Sequence, residues 1–521
     1  MPMQGVVARW VLTALMAGVS TYAMAQNTQS DGGAAARAGA IANAQKMLKL
    51  FPDVGGSAQK TPPVIPQLEI GADPGGAIAS FQPNGSTLTA KNAFFQGLGT
   101  NDRTCFTCHQ WQDGWALSAR HAQERFSADP DEPLFRLIDG ATCPSNDVST
   151  PEKKRAAYRL LLDKGLIRVG LTMPSDGLQF RILGVNDPYG CNTNPITGLT
   201  GATTGTVSVY RRPLPAANLG FLSTIMWDGR EPSLFSQAVV ATRIHAEGTV
   251  TPSAEQQQQI VSFEGCTHAL TPDLCANTPA TAGVFAAQIS DDAGVNLSGD
   301  GGNGGPVALS QELPKFFIGI NDPLGLNPTG VPFNPEIFDL YSHWSSLQGD
   351  GRENDRRRAI ARGEELFNTT KINISGVAGL NDVLNQPNIA GSCPICHDSP
   401  KVGNHSVKAP LNIGIADAGK NSPPALDIGD LPVFSIWCTS GPLAGQLFEV
   451  TDPGLSLITG KCADIGKLKG PILRGLAARA PYFHNGAAAT LADVVEFCNQ
   501  RFDIGFTDQQ KADLVAFLSS L

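Results

Sequence analysis

The chain has 521 residues, a net charge of -9, a pI near 5.4, 16% charged residues and 42% apolar ones. That length exceeds what one core organises and implies two or three domains, while the acidic balance excludes nucleic acid as a partner. With Gly 56 and Pro 37, it reads as a loop-rich globular protein with enough apolar residues for buried cores.

Residues 1–25 carry Arg9, an apolar run over 10–19, and Ala23-Met24-Ala25 before Gln26. This is the charged, apolar and small-residue order of a secretory signal, with cleavage expected after Ala25 and the periplasm as destination. No later stretch approaches about 18 uninterrupted apolar residues, so no membrane span is expected in the mature protein. Residues 26–85, rich in Ala, Gly, Gln and Pro, read as an N-terminal extension of low structure with one candidate helix at 34–51. A first domain is placed at 86–346. It turns helical over 89–98 before Cys105, carries a long loop-rich insertion at 110–210, and shows a Gly-rich loop, "LSGDGGNGGP", at 297–306. The polar "LQGDGREND" at 347–355 is the expected linker to a second domain, 356–521. That domain opens with a helical run at 356–367 and closes with a helix begun by the capping box Thr507/Gln510, with Leu514, Phe517, Leu518 and Leu521 at helical spacing. No strand-rich stretch emerges, so the expected fold class is mostly α with long loops.

"CFTCH" at 105–109 and "CPICH" at 393–397 are both C-x-x-C-H, the spacing at which two thiols add to the two vinyl groups of haem while the next His reaches the iron. A redox dithiol needs no such His, and a zinc site built from all four thiols leaves both His residues unexplained. Two covalently bound haem c groups are therefore expected, on Cys105/Cys108 and Cys393/Cys396, with His109 and His397 as the iron ligands. The other face of each iron decides function. Two tight protein ligands make an electron carrier, whereas an open face activates a small oxidant.

The blocks "MWDGREPSLFSQAVVATRIHAEG" (226–248) and "LRGLAARAPYFHNGAAATLADVVEF" (473–497), with the two C-x-x-C-H motifs, resemble the bacterial di-haem cytochrome c peroxidase family, which includes MauG-type enzymes that oxidise a partner protein. The resemblance implies two cytochrome c-like domains, a peroxidatic haem in the first and an electron-handling haem in the second. It carries a Trp between the haems to Trp227, a substrate-orienting Gln to Gln237, and an acid–base carboxylate to Glu247. Chemistry agrees with that last role, since a carboxylate above the iron can take a proton from peroxide and return it to the departing oxygen. An isolated Glu there also reads as a solvated surface carboxylate. His245 reads equally as a second distal group or a structural His. Tyr482 and His484 fall near the inter-haem region, as relays or as packing. Hydrogen peroxide is then the expected substrate, a small periplasmic cytochrome c or cupredoxin the donor, and a homodimer the family's frequent assembly. The rival readings are MauG-like oxidation of a protein and a non-catalytic di-haem electron carrier.

The sequence departs from the family pattern in three places. His121 lies near where some members place a His over the peroxidatic iron, but "SARHAQERF" also reads as an exposed helix, so an open face is the default. Where members bind calcium with an Asn, this chain has Arg212, with Arg479 also close by, and two cations disfavour calcium. The second haem's far ligand is usually Met, or Tyr in MauG-type enzymes, yet the last of the seven Met residues is Met226. Counting along the motif from Thr490, the ligand position falls on Cys498. Cysteine counting reaches the same residue. With four thiols on haem, the most local pairing joins Cys143 to Cys191, Cys266 to Cys275 and Cys438 to Cys462, and Cys498 is left over. A thiolate there stabilises ferric iron, so peroxide is expected to react with the diferric protein, with oxidising equivalents shared by both haems through Trp227. Otherwise Cys498 is a neutral buried thiol, and the far ligand is His405, His484 or water.

Overall fold

The computed structural model describes residues 61–521 apart from 175, 193–205, 268–270, 276, 277, 280 and 281. The signal segment, its cleavage point and the candidate helix at 34–51 lie outside the described residues. The expectation of no strand-rich stretch is corrected, because five small antiparallel sheets appear among the described residues. One of them begins inside the supposed low-structure extension. Leu68–Asp73 and Gly76–Phe81 form a hairpin closed by Pro74 and Gly75, and Gly76–Phe81 pairs on its other edge with Phe285–Ser290. Ala77, Ile78, Ala79 and Ser80 are all buried, so this central strand has no in–out alternation to betray it. Gly75 has to be glycine, since a Cβ there would lie 2.2 Å from that of Ala477.

The insertion at 110–210 is more ordered than its loop-rich composition suggests. It holds the helices Ala119–Ala128, Pro151–Ala157 and Arg159–Lys164, and the strands Ile167–Thr172 and Phe180–Asn186. Ile167–Thr172 pairs with Thr206–Arg211, while Phe180–Asn186 pairs with Val433–Cys438, which in turn pairs with Leu447–Val450. Val169, Ile182 and Val209 share one buried cluster with Phe434, Ile436 and Leu457. The insertion is thus bound through sheet and core to the C-terminal half.

The helix Arg352–Thr369 packs along Asp508–Ser519, where a Cβ on Gly363 would lie 2.1 Å from the Asp513 carbonyl oxygen, and Phe338, Phe367 and Phe517 stack between them. Thr507 caps the last helix by accepting from the Gln510 N–H, as its sequence predicts. The helical expectation at 89–98 is met only by two short 3-10 turns, Thr89–Lys91 and Ala93–Phe95, because the Asn92 side chain caps the second turn and breaks the run. Leu234–His245 starts at Ser233, buries Leu234, Ala238 and Thr242 on one stripe, and stops where Glu247 turns left-handed (φ 54).

All three disulfides of the local pairing scheme are present, Cys143–Cys191, Cys266–Cys275 and Cys438–Cys462, and Cys498 is unpaired. The Cys438–Cys462 bridge closes a separation of 24 residues, which constrains the unfolded chain by about 3 kcal/mol. Replacing both cysteines by Ala is expected to lower unfolding free energy by that amount in denaturant titrations.

Candidate functional site

The two C-x-x-C-H segments fold alike. Cys105–Thr107 and Cys393–Ile395 are single 3-10 turns, and the His109 and His397 N–H groups donate to the Cys105 and Cys393 carbonyls at 3.1 Å each. The chain then loops back so that a carbonyl six residues on meets each imidazole: Trp115 O lies 3.0 Å from His109 Nδ1 and Gly403 O lies 2.7 Å from His397 Nδ1. A ring nitrogen facing a carbonyl must carry the hydrogen, so each Nε2 keeps its lone pair. Burial holds the His109 pKa down to about 4 and pushes that of His397 down as well, so both rings are neutral. All four motif thiols are unpaired.

His109, Cys105 and Cys108 open on a cavity with about 1430 Å³ between protein atoms, part of it facing solvent. Its walls include Leu98, Leu219, Ile225, Leu234 and Ile260, while Arg212 and Lys469 stand among the polar residues. Lys469 is buried, donates to Thr224 O at 3.2 Å, and has its pKa held down to about 7 by burial and then by Arg479. A carboxylate entering beside it would relieve both penalties. An apolar chamber with a cation lacking a counter-charge, two free thiols and one free imidazole lone pair fits a haem with its propionates.

Of the residues expected at this site, Trp227, Gln237 and His245 line the cavity. Glu247 does not. It is exposed, and Asn101 Nδ2 donates to its Oε2 at 3.0 Å. His121 is also off the wall, with Nδ1 turned to Asp113 Oδ2 at 2.8 Å. Sequence reasoning missed Glu264, whose buried Oε2 has no hydrogen-bond partner among the described residues and whose pKa burial pushes to about 8. It also missed Asp139, which meets His245 Nδ1 at 2.6 Å. Asp139 sits in the insertion without any motif around it, so spacing offered no signal.

Between the two halves, Arg211 is fully buried against two carboxylates, 2.5 Å from Asp228 and 2.7 and 3.0 Å from the two oxygens of Asp452. Burial alone would raise both carboxyl pKa values, but Arg211 more than reverses it and holds both below the usual range. The Trp227 indole N–H donates to Arg212 O at 2.8 Å, and its ring meets His484 edge-on at 6.1 Å. Arg212 sends its guanidinium to the carbonyls of Leu117, Lys164 and Arg479 at 2.8, 3.1 and 2.7 Å. A cationic group already fills this carbonyl cluster, which is why calcium is disfavoured there.

Cys498 lies on the helix Leu491–Arg501, in a cluster with Phe483, Phe497 and Tyr482. Its thiol pKa is pushed up to about 12 by burial, then by Cys393 and Cys396, which places it within electrostatic reach of the second motif. His405 instead turns Nδ1 toward Asp398 at 3.2 Å, and His484 packs beside Trp227 with Nε2 3.7 Å from Asp452.

No protein-family model matches the chain. Over 140 residues it is 33% identical to the cytochrome-c peroxidase IdrP2 of Denitromonas iodatirespirans, covering 25% of this chain and 36% of that one. Over 172 residues it is 28% identical to the cytochrome c551 peroxidase of Nitrosomonas europaea, covering 31% and 42%. The matched stretches therefore span less than half the length of either relative. Among solved structures, it is similar to a MauG-like protein associated with microbial copper homeostasis, at 15% identity and a TM-score of 0.32 over 83% of this chain and 87% of that one.

Arg211→Met leaves two buried carboxylates short of their partner and is expected to cost about 3–5 kcal/mol at neutral pH. The deficit should narrow on acidification, because carboxyls released from Arg211 take up protons at higher pH than the depressed wild-type ones; thermal melts across pH check the sign. Chelation with EDTA should leave the melting temperature unchanged.

Proposed function

We propose that the chain is a periplasmic di-haem peroxidase that reduces hydrogen peroxide to two waters with two electrons and two protons, the electrons coming from a small cytochrome c or cupredoxin. The observation that carries this reading is the duplicated C-x-x-C-H turn, each copy presenting one free imidazole lone pair beside two unpaired thiols. Resemblance to cytochrome c peroxidases over part of the chain supports it.

Cys105, Cys108, Cys393 and Cys396 hold the two haems covalently, and His109 and His397 hold their irons. When bound, haem c supplies the metal chemistry that breaks the O–O bond and stores electrons. His121 is engaged with Asp113 and is not on the wall of the first site, which leaves that site open to peroxide in this reading. The Gln237 amide on that wall orients peroxide. Trp227, fixed by Arg212 O and by the Lys469 N–H donating to Trp227 O at 2.9 Å, provides the aromatic path between the halves. Cys498 would offer its sulfur to the second iron, and binding as a thiolate would favour the ferric state, so that the protein would react in the diferric state without prior reduction.

Electron paramagnetic resonance of the ferric holoprotein tests this reading. One high-spin signal abolished by an equivalent of peroxide is expected beside a low-spin signal with the narrow g-spread of thiolate ligation, the latter lost in Cys498→Ala. Two low-spin signals indifferent to peroxide would make the chain an electron carrier instead. Steady turnover with a small donor alone separates a peroxidase from an oxidant of a specific protein.

A further inference from the structure

The cavity wall contains an acid–base unit that the family pattern does not supply. His245 closes the Leu234–His245 helix and lines the same cavity as His109. The His245 Nδ1 lies 2.6 Å from Asp139 Oδ2, and Asp139 is buried. Burial works to raise the Asp139 pKa, but Arg103 and His245 outweigh it and keep the carboxylate ionised. An ionised carboxylate only accepts hydrogen bonds, so Nδ1 carries the hydrogen, and in the neutral form of the ring the lone pair falls on Nε2.

The support around this pair is over-determined. Arg103 pairs with the other oxygen of Asp139 and donates to the carbonyls of Pro133 and Leu134 at 2.7 Å each, locking the insertion segment that brings Asp139 in. Arg103 and Asn101 Nδ2 also donate to the His245 carbonyl, at 3.2 and 2.9 Å, pinning the end of the helix. The His245 side chain keeps 28% of its surface exposed, which gives it proton exchange with solvent. Glu247 is instead exposed, off the cavity wall, and accepts from Asn101 Nδ2.

We propose that His245, oriented by Asp139, is the catalytic acid–base group of the first site, in the place the family pattern gives to Glu247. This deepens the peroxidase reading and rests on it. Nε2 takes the proton from one oxygen of hydrogen peroxide and returns it to the other as the O–O bond breaks, releasing the first water. The remaining oxygen atom leaves as the second water after taking two electrons from the donor protein and two protons.

Rapid mixing of the ferric holoprotein with hydrogen peroxide, and separately with hydrogen cyanide, tests the assignment. Hydrogen cyanide must lose its proton on binding, so its association rate reports the base without any turnover. His245→Ala and His245→Gln are expected to slow both reactions by about 100-fold or more, with both haems still attached, whereas Glu247→Gln stays within about threefold of wild type. Added imidazole should restore part of the rate in His245→Ala. His245→Gln retains an amide able to donate to Asp139, which guards against a folding artefact. Wild-type cyanide association in His245→Gln, or the large loss appearing in Glu247→Gln instead, would overturn the proposal. If wild-type protein leaves peroxide intact, the peroxidase reading fails, and the cyanide rates still decide whether His245 is the base.

Discussion

The burial of Arg211 between Asp228 and Asp452 is the constraint on which the rest of the site depends. The three residues come from a strand of the first half, the turn that carries Trp227, and a loop of the second half. Each charge is expensive to bury alone, so the only low-energy arrangement brings all three segments together at one point. Trp227 is then placed between the halves, with His484 against its ring and Arg212 under its indole nitrogen. The Arg230 guanidinium also reaches Asp228, at 2.9 and 3.0 Å, so the turn is held from both sides.

The same turn geometry recurs around the site. Isolated antiparallel bridges join Gln110 to Ala116, Ile225 to Glu231 and Tyr482 to Ala488, and inside them Trp115, Met226 and Phe483 adopt left-handed backbones at φ 61, 64 and 63. Each such residue costs energy that its surroundings must offset. Trp115 turns its carbonyl onto His109, Met226 precedes Trp227, and Phe483 precedes His484. Three left-handed residues thus stand at positions that aim side chains of the site.

Motif spacing made the two matching C-x-x-C-H turns legible, and the most local cysteine pairing made the disulfides and the leftover Cys498 legible. The capped terminal helix was legible for a related reason, since Thr507 and Gln510 act locally. The strands were not. Gly76–Phe81 is buried on both faces from Ala77 to Ser80, and Phe180–Asn186 finds its partner some 250 positions later, so neither has a local signature. Asp139 and Arg103 escaped notice for the same reason, as their importance lies in a meeting with His245 that only tertiary structure creates.

The interlacing of distant strands bears on how the chain matures. Gly76–Phe81 waits for Phe285–Ser290, and Phe180–Asn186 waits for Val433–Cys438, before either sheet can close. Contacts of such high sequence separation cost loop entropy before they return any stability, and they form late. An emerging polypeptide therefore keeps both pairs of C-x-x-C-H thiols reachable while most of its core is unmade. Slow topology leaves time for covalent chemistry at those thiols before the cavity walls close around His109.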